Sequence, residues 1–310
     1  MRNKFADTFY ELGKKDDRLA IVVADISPAG SIAAFRKEFP RRFVNTGVSE
    51  QIMIGMCAGM SMRGLRPFAY TIATFTLYRP FEFVRDDLCY QNLPVTIVGI
   101  GGGVTYHTLG ATHHAMEDIA VARAIPNMSI IAPCDPDEVA EATKWCALEN
   151  NGGPVYLRLG KAGEPTLTHT AMDPFVFGKL RRLREGSQVV FLSYGVMVKR
   201  CVELADELKE TQRIDAAVIS CHTLKPLDKE GIVSLFSQYK HVVIIEDHVP
   251  QGGLGAEVKQ LAWDAKASCS IHHYSLKDAF IHNYGSLENL YEAHGINKER
   301  LWRCISQDVK

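Results

Sequence analysis

The chain has 310 residues, 46% of them hydrophobic, and its 35 basic and 36 acidic residues leave a formal net charge of -1. This length and composition predict a globular protein of about two domains. The balanced charge gives no electrostatic reason to expect nucleic acid or a membrane surface as a partner. No segment has the length of a membrane span, and the N-terminus lacks the apolar core of a signal peptide, so we expect a cytoplasmic protein. Eight scattered cysteines show no metal-ligand spacing, and no metal site is predicted in this chain.

The first half of the chain alternates between predicted strands and helices. Continuous apolar runs such as Leu19–Ala24 are typical of parallel strands that are buried on both faces. Their alternation with helices predicts a parallel sheet with right-handed crossovers. In chain order the predicted elements are helix 3–14, strand 19–24, helix 31–38, strand 42–46, a helix that opens at Glu50, strand 66–72, helix 80–91, strand 95–100, helix 116–124, strand 126–133, helix 135–149 and strand 155–159.

A second α/β unit follows a segment rich in glycine, proline and basic residues. That composition suits a linker, which we place at 166–186 between domains 1–165 and 187–310. The predicted fold class is therefore α/β with two domains. The second unit is predicted to contain strand 188–194, helix 197–210, strand 214–220, helix 228–238, strand 241–246 and a further helix.

Glu50 lies where a predicted strand passes into a helix, with Ser49 placed to cap that helix. In an open α/β sheet this is the edge on which ligands bind. The helix is otherwise uncharged until Arg63, so the carboxylate should be partly desolvated and suited to proton chemistry. The alternative is a first-turn acid that merely interacts with the helix dipole.

Other polar loops also follow predicted strands. Ser27, in the turn after the first strand, could meet a substrate oxygen. The loop 105–118 contains His107, His113 and His114, and its position favours a ligand-binding role. The glycine run 99–103 lacks the G-x-G-x-x-G spacing of a nucleotide loop.

Six motifs follow one another along the chain. They are Gly-Val-Ser-Glu50-Gln, Ala-Thr-Phe75, Leu-Gly-Ala-Thr-His113-His, Ile-Pro-Asn-Met128, Leu-Lys-Pro-Leu-Asp228, and Glu-Asp-His248 with Gly-Gly-Leu-Gly255. In this order and spacing the motifs resemble the second half of a transketolase. The likeness covers nearly the whole chain, with a pyrimidine-binding domain to about residue 165 and a C-terminal domain from about 187. The same domain pair occurs in deoxyxylulose-phosphate synthases and in the β subunits of 2-oxoacid dehydrogenase E1 components.

The resemblance implies thiamine diphosphate as cofactor. Glu50 matches the family carboxylate that bonds N1′ of the aminopyrimidine and thereby favours the form of the cofactor that acts as a base. Phe75 matches the aromatic residue that stacks on the pyrimidine ring, with Tyr78 nearby. The cofactor carries the difficult chemistry while the protein orients it.

The resemblance also implies substrate-binding residues. His113 matches a loop histidine that faces substrate oxygens, and it is predicted to be catalytic together with Glu50. Arg79 and Lys161 fall at or near positions that hold a sugar phosphate, with Arg158 as the next candidate. For Arg158 and Lys161 a solvated strand end remains the alternative. Leu109 stands where transketolases carry an aspartate that contacts a sugar hydroxyl, so the substrate should differ, or His107 should meet that hydroxyl instead.

The motif that binds magnesium and the diphosphate in this family, Gly-Asp-Gly with a downstream asparagine, does not occur here. We therefore expect one subunit of a split enzyme, whose partner chain binds Mg²⁺ and the diphosphate in a heterotetramer of two copies of each chain. The expected reaction transfers a two-carbon ketol unit from a ketose to an aldehyde, on sugars or sugar phosphates. The alternatives are a thiamine-dependent enzyme that decarboxylates a 2-oxoacid and a non-catalytic partner subunit.

Overall fold

The computed structural model describes residues 1–26, 30–282 and 285–309. Helices and strands alternate in both halves of this part of the chain, as the apolar pattern predicts. The strands are β1 (Leu19–Val23), β2 (Phe43–Asn45), β3 (Arg66–Ile72), β4 (Thr96–Ile100), β5 (Ser129–Ile131), β6 (Val155–Leu159), β7 (Arg181–Arg184), β8 (Val189–Ser193), β9 (Ala216–Ser220), β10 (Thr223–Lys225), β11 (His241–Ile245) and β12 (Ser270–Tyr274). The helices are α1 (Arg2–Gly13), α2 (Ile32–Glu38), α3 (Glu50–Met62), α4 (Ala73–Leu77), α5 (Phe81–Phe83), α6 (Asp118–Ala124), α7 (Pro136–Leu148), α8 (Met197–Gln212), α9 (Lys229–Gln238), α10 (Leu254–Asp264), α11 (Leu287–His294) and α12 (Lys298–Asp308).

The first sheet has the strand order β10-β5-β6-β4-β3-β1-β2. Its pairs are parallel except for β10, which runs antiparallel to β5 with Thr223 opposite Ile131. Strand β10 comes from the second half of the chain and runs into the Leu-Lys-Pro-Leu-Asp228 motif, where no strand is predicted. Backbone pairing therefore joins the second half of the chain to the edge of the first sheet.

The second sheet has the order β12-β11-β8-β9-β7 and is parallel apart from β7. Strand β7 lies in the segment 166–186, which the sequence predicts as a linker. It pairs antiparallel with β9, Arg181 lying opposite Ser220. The last part of the predicted linker is thus an edge strand of the second domain.

Both sheets have apolar strands at their centre, in agreement with the predicted α/β class. Every residue of β1, and likewise of β4, β8 and β11, is buried. Helices cover both faces of such strands, which explains why their sequences are continuous apolar runs. None of the described helices is long and apolar enough to cross a membrane.

The segment between β3 and β4 differs from its predicted form. A single helix over 80–91 is predicted, but α4 starts directly at the end of β3 and a second helical segment follows it. Pro80 separates the two, because its ring nitrogen cannot donate a helical hydrogen bond. After α5 the chain continues as a π-helical stretch, Val84–Tyr90. The aromatic segment from Phe75 to Phe81 is consequently broken into short helices at the sheet edge.

Candidate active site

The candidate site lies along the edge formed by the carboxyl ends of parallel strands in the first sheet. Strand β2 leads to Glu50, β3 leads to α4 and Phe75, β4 leads to the loop 101–115, and β6 leads to Lys161. Since these strands run parallel in one sheet, the segments that follow them meet at one edge. The tertiary structure therefore brings together most of the residues that the sequence nominates.

Glu50 is the first residue of α3 and is only 3% exposed. Gly47, with a φ of 68°, makes the tight turn between β2 and this helix in a backbone conformation that favours glycine. Ser49 occupies the N-cap position, but its side chain makes no capping hydrogen bond, unlike the predicted cap. The Glu50 carboxylate instead accepts a hydrogen bond of 2.7 Å from Arg79 Nη1. It is a desolvated acceptor at a helix N-terminus.

Arg79 contacts two of the predicted cofactor ligands at once. Besides its bond to Glu50, its guanidinium carbon lies 3.9 Å from the centroid of the Phe75 ring. The Phe75 side chain is half-buried, whereas the Arg79 side chain is 44% exposed. A planar cation thus contacts both a carboxylate and an aromatic face.

His113 lies beside Phe75, in a short turn of the loop 101–115. Its ring meets the Phe75 ring edge-on, with centroids 5.1 Å apart, and its Nδ1 is 3.0 Å from Thr112 Oγ1. Burial, together with the nearby charge of Arg79, lowers the pKa of His113 below its usual value. The imidazole is therefore neutral at neutral pH and can offer one donor and one acceptor.

The hydroxyl of Tyr78 forms two hydrogen bonds with Glu117. The phenol donates a 3.0 Å hydrogen bond to Glu117 Oε2 and accepts one of 3.3 Å from the Glu117 backbone N–H. Burial raises the pKa of Tyr78, so the group stays protonated. Its contacts join α4 to the residues that precede α6.

Tyr106 lies near both His113 and Lys161. The two rings lie 6.2 Å apart, and Lys161 Nζ lies 5.1 Å from the Tyr106 centroid. Lys161 and His107 both line a cavity of about 410 Å³, whose far wall includes Arg200 of the second domain. His107 Nδ1 is 2.6 Å from the Gly285 carbonyl oxygen, a contact that makes this nitrogen the donor.

Arg158 differs from the other basic candidates. It is 4% exposed, with Nε 2.8 Å from Asp118 Oδ2 and Nη1 3.0 Å from Asp247 Oδ1. A side chain at Gly102 would overlap its guanidinium, so the glycine run makes room for this ion pair. Two carboxylates already neutralise its charge, so Arg158 is not a solvated strand end, and its role as a phosphate ligand stays a prediction. Ser27, the remaining candidate, lies outside the described residues.

Several residues of the site were missed in the sequence. Tyr106 could have been found as the aromatic neighbour of His107 in the loop 105–118. Glu117 and Asp118 directly precede and open a helix, where acids are common, so nothing local distinguishes them. The contact between Glu50 and Arg79 joins segments 29 residues apart and carries no local signal. Among the described residues, no group of three or more His, Cys, Asp or Glu side chains could hold a metal ion.

Comparison with known proteins agrees with this architecture. Residues 1–164 match the transketolase pyrimidine-binding domain, and residues 178–301 match the transketolase C-terminal domain. The chain is 32% identical over 309 residues to a subunit of an apulose-4-phosphate transketolase from Phocaeicola vulgatus, covering 100% of this chain and 97% of the relative. It is also 32% identical over 295 residues to a 1-deoxy-D-xylulose-5-phosphate synthase of Clostridium perfringens, covering 95% of this chain but 47% of that protein.

A solved structure described as a split gene transketolase, inactive beta4 tetramer, superposes with a TM-score of 0.88 at 32% identity. The match covers 99% of this chain and 97% of that chain. Like the Phocaeicola relative, that chain is therefore matched over nearly its whole length. With both domains matched in order, the chain belongs to the transketolase family and is similar over its whole length to subunits of split members.

Proposed function

We propose that this chain is the catalytic half of a split, thiamine-diphosphate-dependent transketolase that moves a two-carbon ketol unit from a ketose to an aldehyde. The observation that carries the proposal is the buried Glu50 carboxylate beside the Phe75 ring, with His113 next in line at the same sheet edge. Family membership makes the cofactor the natural ligand of that pair.

The residues present fit the aminopyrimidine half of the cofactor. Glu50 would accept a hydrogen bond at N1′, and its burial strengthens that bond because the local dielectric is low. Phe75 would stack on the ring, and Tyr78 would hold α4 in place through Glu117. When bound, thiamine diphosphate supplies the nucleophilic carbon that takes up the two-carbon unit.

On the substrate side, neutral His113 would hydrogen-bond a substrate oxygen. Lys161 and His107, at the cavity between the domains, would hold the anionic end of a sugar phosphate, and Arg79 would add a second positive charge. The name of the Phocaeicola relative, which includes a phosphorylated sugar, is consistent with an anionic donor or acceptor. Leu109, 48% exposed on the same loop, offers no hydrogen bond where transketolases carry an acid.

The partner in this proposal is a separate chain that binds Mg²⁺ and the diphosphate, in a cytoplasmic complex of two copies of each chain. The surface next to Glu50 supports an assembly, because Val48 is 67% exposed and Ile52 is 59% exposed. Phe81 and Phe83, both 37% exposed, extend this apolar surface. Exposed apolar side chains gathered beside a site are typical of protein contact surfaces.

The test is co-expression with the product of a neighbouring gene for the diphosphate domain. Thiamine diphosphate would be titrated into the purified complex by calorimetry, and ketose donors and 2-oxoacids would be screened by mass spectrometry. We expect magnesium-dependent cofactor binding by the complex, weak binding by this chain alone, and ketose cleavage without carbon dioxide. Tight binding by the isolated chain would contradict the divided site.

A decarboxylating enzyme is the second candidate. The observation in its favour is the likeness to a 1-deoxy-D-xylulose-5-phosphate synthase, which extends over 95% of this chain at 32% identity. Carbon dioxide release from a 2-oxoacid in the same screen would establish this alternative. If the complex binds cofactor but no substrate is consumed, the third alternative, a non-catalytic partner, would stand.

A further inference from the structure

Arg79 contacts both side chains, Glu50 and Phe75, that the proposed function assigns to the aminopyrimidine ring of the cofactor. Its Nη1 lies 2.7 Å from Glu50 Oε1, and its guanidinium stacks on Phe75 at 3.9 Å from the ring centroid. The guanidinium is planar, donates an N–H to the carboxylate and stacks on the ring. A protonated aminopyrimidine would make the same two contacts. The guanidinium and the cofactor ring therefore compete for one place.

The energetics of this contact favour exchange. Glu50 is buried, and a buried carboxylate without a partner is costly, so some donor must satisfy it. Arg79 is 44% exposed at its side chain, so it returns to water with a small penalty when it leaves. Among the described residues its side chain has these two contacts and no second carboxylate.

Resting on the proposed function, we infer that Arg79 is a displaceable placeholder for the aminopyrimidine and couples cofactor binding to substrate binding. When the cofactor ring binds Glu50 and Phe75, the guanidinium leaves both side chains. It stays close to His113, because it remains at the end of the Arg79 side chain. There it becomes available to the anionic group of the substrate. The residue has two alternating anionic partners, so the anionic substrate binds well only after the cofactor.

The two roles make opposite predictions for a single substitution. Arg79→Met removes the competitor of the cofactor and also removes the positive charge for the substrate. In the complex with the partner chain we expect the Kd for thiamine diphosphate to fall about three- to tenfold, because no guanidinium has to be displaced. The KM for an anionic donor should rise at the same time. A general structural defect would weaken both binding steps.

Arg85→Met is the matched control, because Arg85 follows in the same segment and is 62% exposed at its side chain. Its ion pair within the described part of the chain is with the neighbouring Asp86. The substitution removes one positive charge from the complex, and both constants should stay as in the wild type. Arg79→Lys keeps the charge but loses the planar stacking group, and it should show a smaller fall in Kd with a nearly normal KM.

The decisive measurement is the cofactor titration, in the wild type and in Glu50→Gln. In the Glu50→Gln background, Arg79→Met should no longer tighten binding, because the ion pair is already broken. An unchanged or weaker cofactor affinity in Arg79→Met, with normal binding by the wild type, would overturn this inference alone. Failure of the wild-type complex to bind the cofactor would overturn the proposed function with it.

If Arg79→Met does not assemble with the partner, the free full-length chain still tests the ion pair. Thermal unfolding of Arg79→Met, Glu50→Gln and the double variant should show that the two losses in Tm are less than additive. Strict additivity would mean that the two side chains do not interact, and would also overturn the inference.

Discussion

Two arginines at the edge of the first sheet differ in nearly everything except their charge. Arg158, at the end of β6, is 4% exposed and held by Asp118 and Asp247. Arg79, after α4, is 44% exposed at its side chain and held by one carboxylate and one ring. Burial and the number of partners thus separate a fixed ion pair, which joins the two domains, from an exchangeable one in the site.

The largest effect on turnover should come from substitution of Glu50, the acid that pairs with Arg79. Glu50→Gln removes the carboxylate that would bond N1′, and we expect turnover by the complex to fall about 10³-fold or more, with assembly intact. Steady-state kinetics with native mass spectrometry would measure both. Glu299→Gln, which changes an exposed acid in the first turn of α12, is the control. Turnover at the wild-type level in Glu50→Gln would remove the central residue of the proposal.

The buried contacts of Arg158 should contribute more to stability than the contact of Arg79 with Glu50. Arg158→Met leaves Asp118 and Asp247 without their cation, and the free energy of unfolding should fall by about 3–5 kcal/mol. Arg79→Met should cost only about 1–2 kcal/mol, since it leaves one buried acceptor, at the favourable N-terminus of α3. Urea unfolding of both variants makes the comparison. Equal losses would mean that the two arginines are held alike.

Substitution of His113 should have an intermediate effect, on turnover and not on cofactor binding. His113→Asn keeps a polar side chain but places it differently, and we expect kcat/KM for a ketose donor to fall about 10- to 100-fold. The Kd for thiamine diphosphate should change little, because the cofactor contacts are those of Glu50 and Phe75. Parallel kinetics and calorimetry separate the two constants. A kcat/KM equal to that of the wild type would place His113 outside the reaction.

At neutral pH the smallest effect should come from a buried histidine of the second domain, which instead makes stability depend on pH in acid. Burial lowers the pKa of His294, which is 2% exposed, to about 4. The unfolded chain takes up this proton near pH 6.5 while the folded chain does not, so stability falls as the pH drops from about 6.5 to about 4. His294→Leu should reduce that slope by at most about 1.4 kcal/mol per pH unit. Exposed His282→Leu is the control, and an unchanged slope in His294→Leu would contradict the assignment.

Much of the fold was predictable because it depends on local patterns. Strands β3 and β6 lie over residues 66–72 and 155–159 as predicted, and β1 lies in an apolar run that any parallel sheet would bury. Strands β7 and β10 were not predicted, because each is short, polar in part and formed by pairing with a strand distant in sequence. Edge strands of this kind depend on their partner more than on their own composition.

The sequence by itself determined the two-domain α/β class, the family, and the nomination of Glu50, Phe75 and His113, because ordered motifs and apolar periodicity are properties of the chain. Only the tertiary structure decided which basic residue is exchangeable and which is fixed. In the sequence Arg79 and Arg158 look equivalent, because both are basic candidates for a phosphate ligand, but their carboxylate partners come from segments far away in the chain. Electrostatic environment is set by what packs around a charge, and that is a property of the fold.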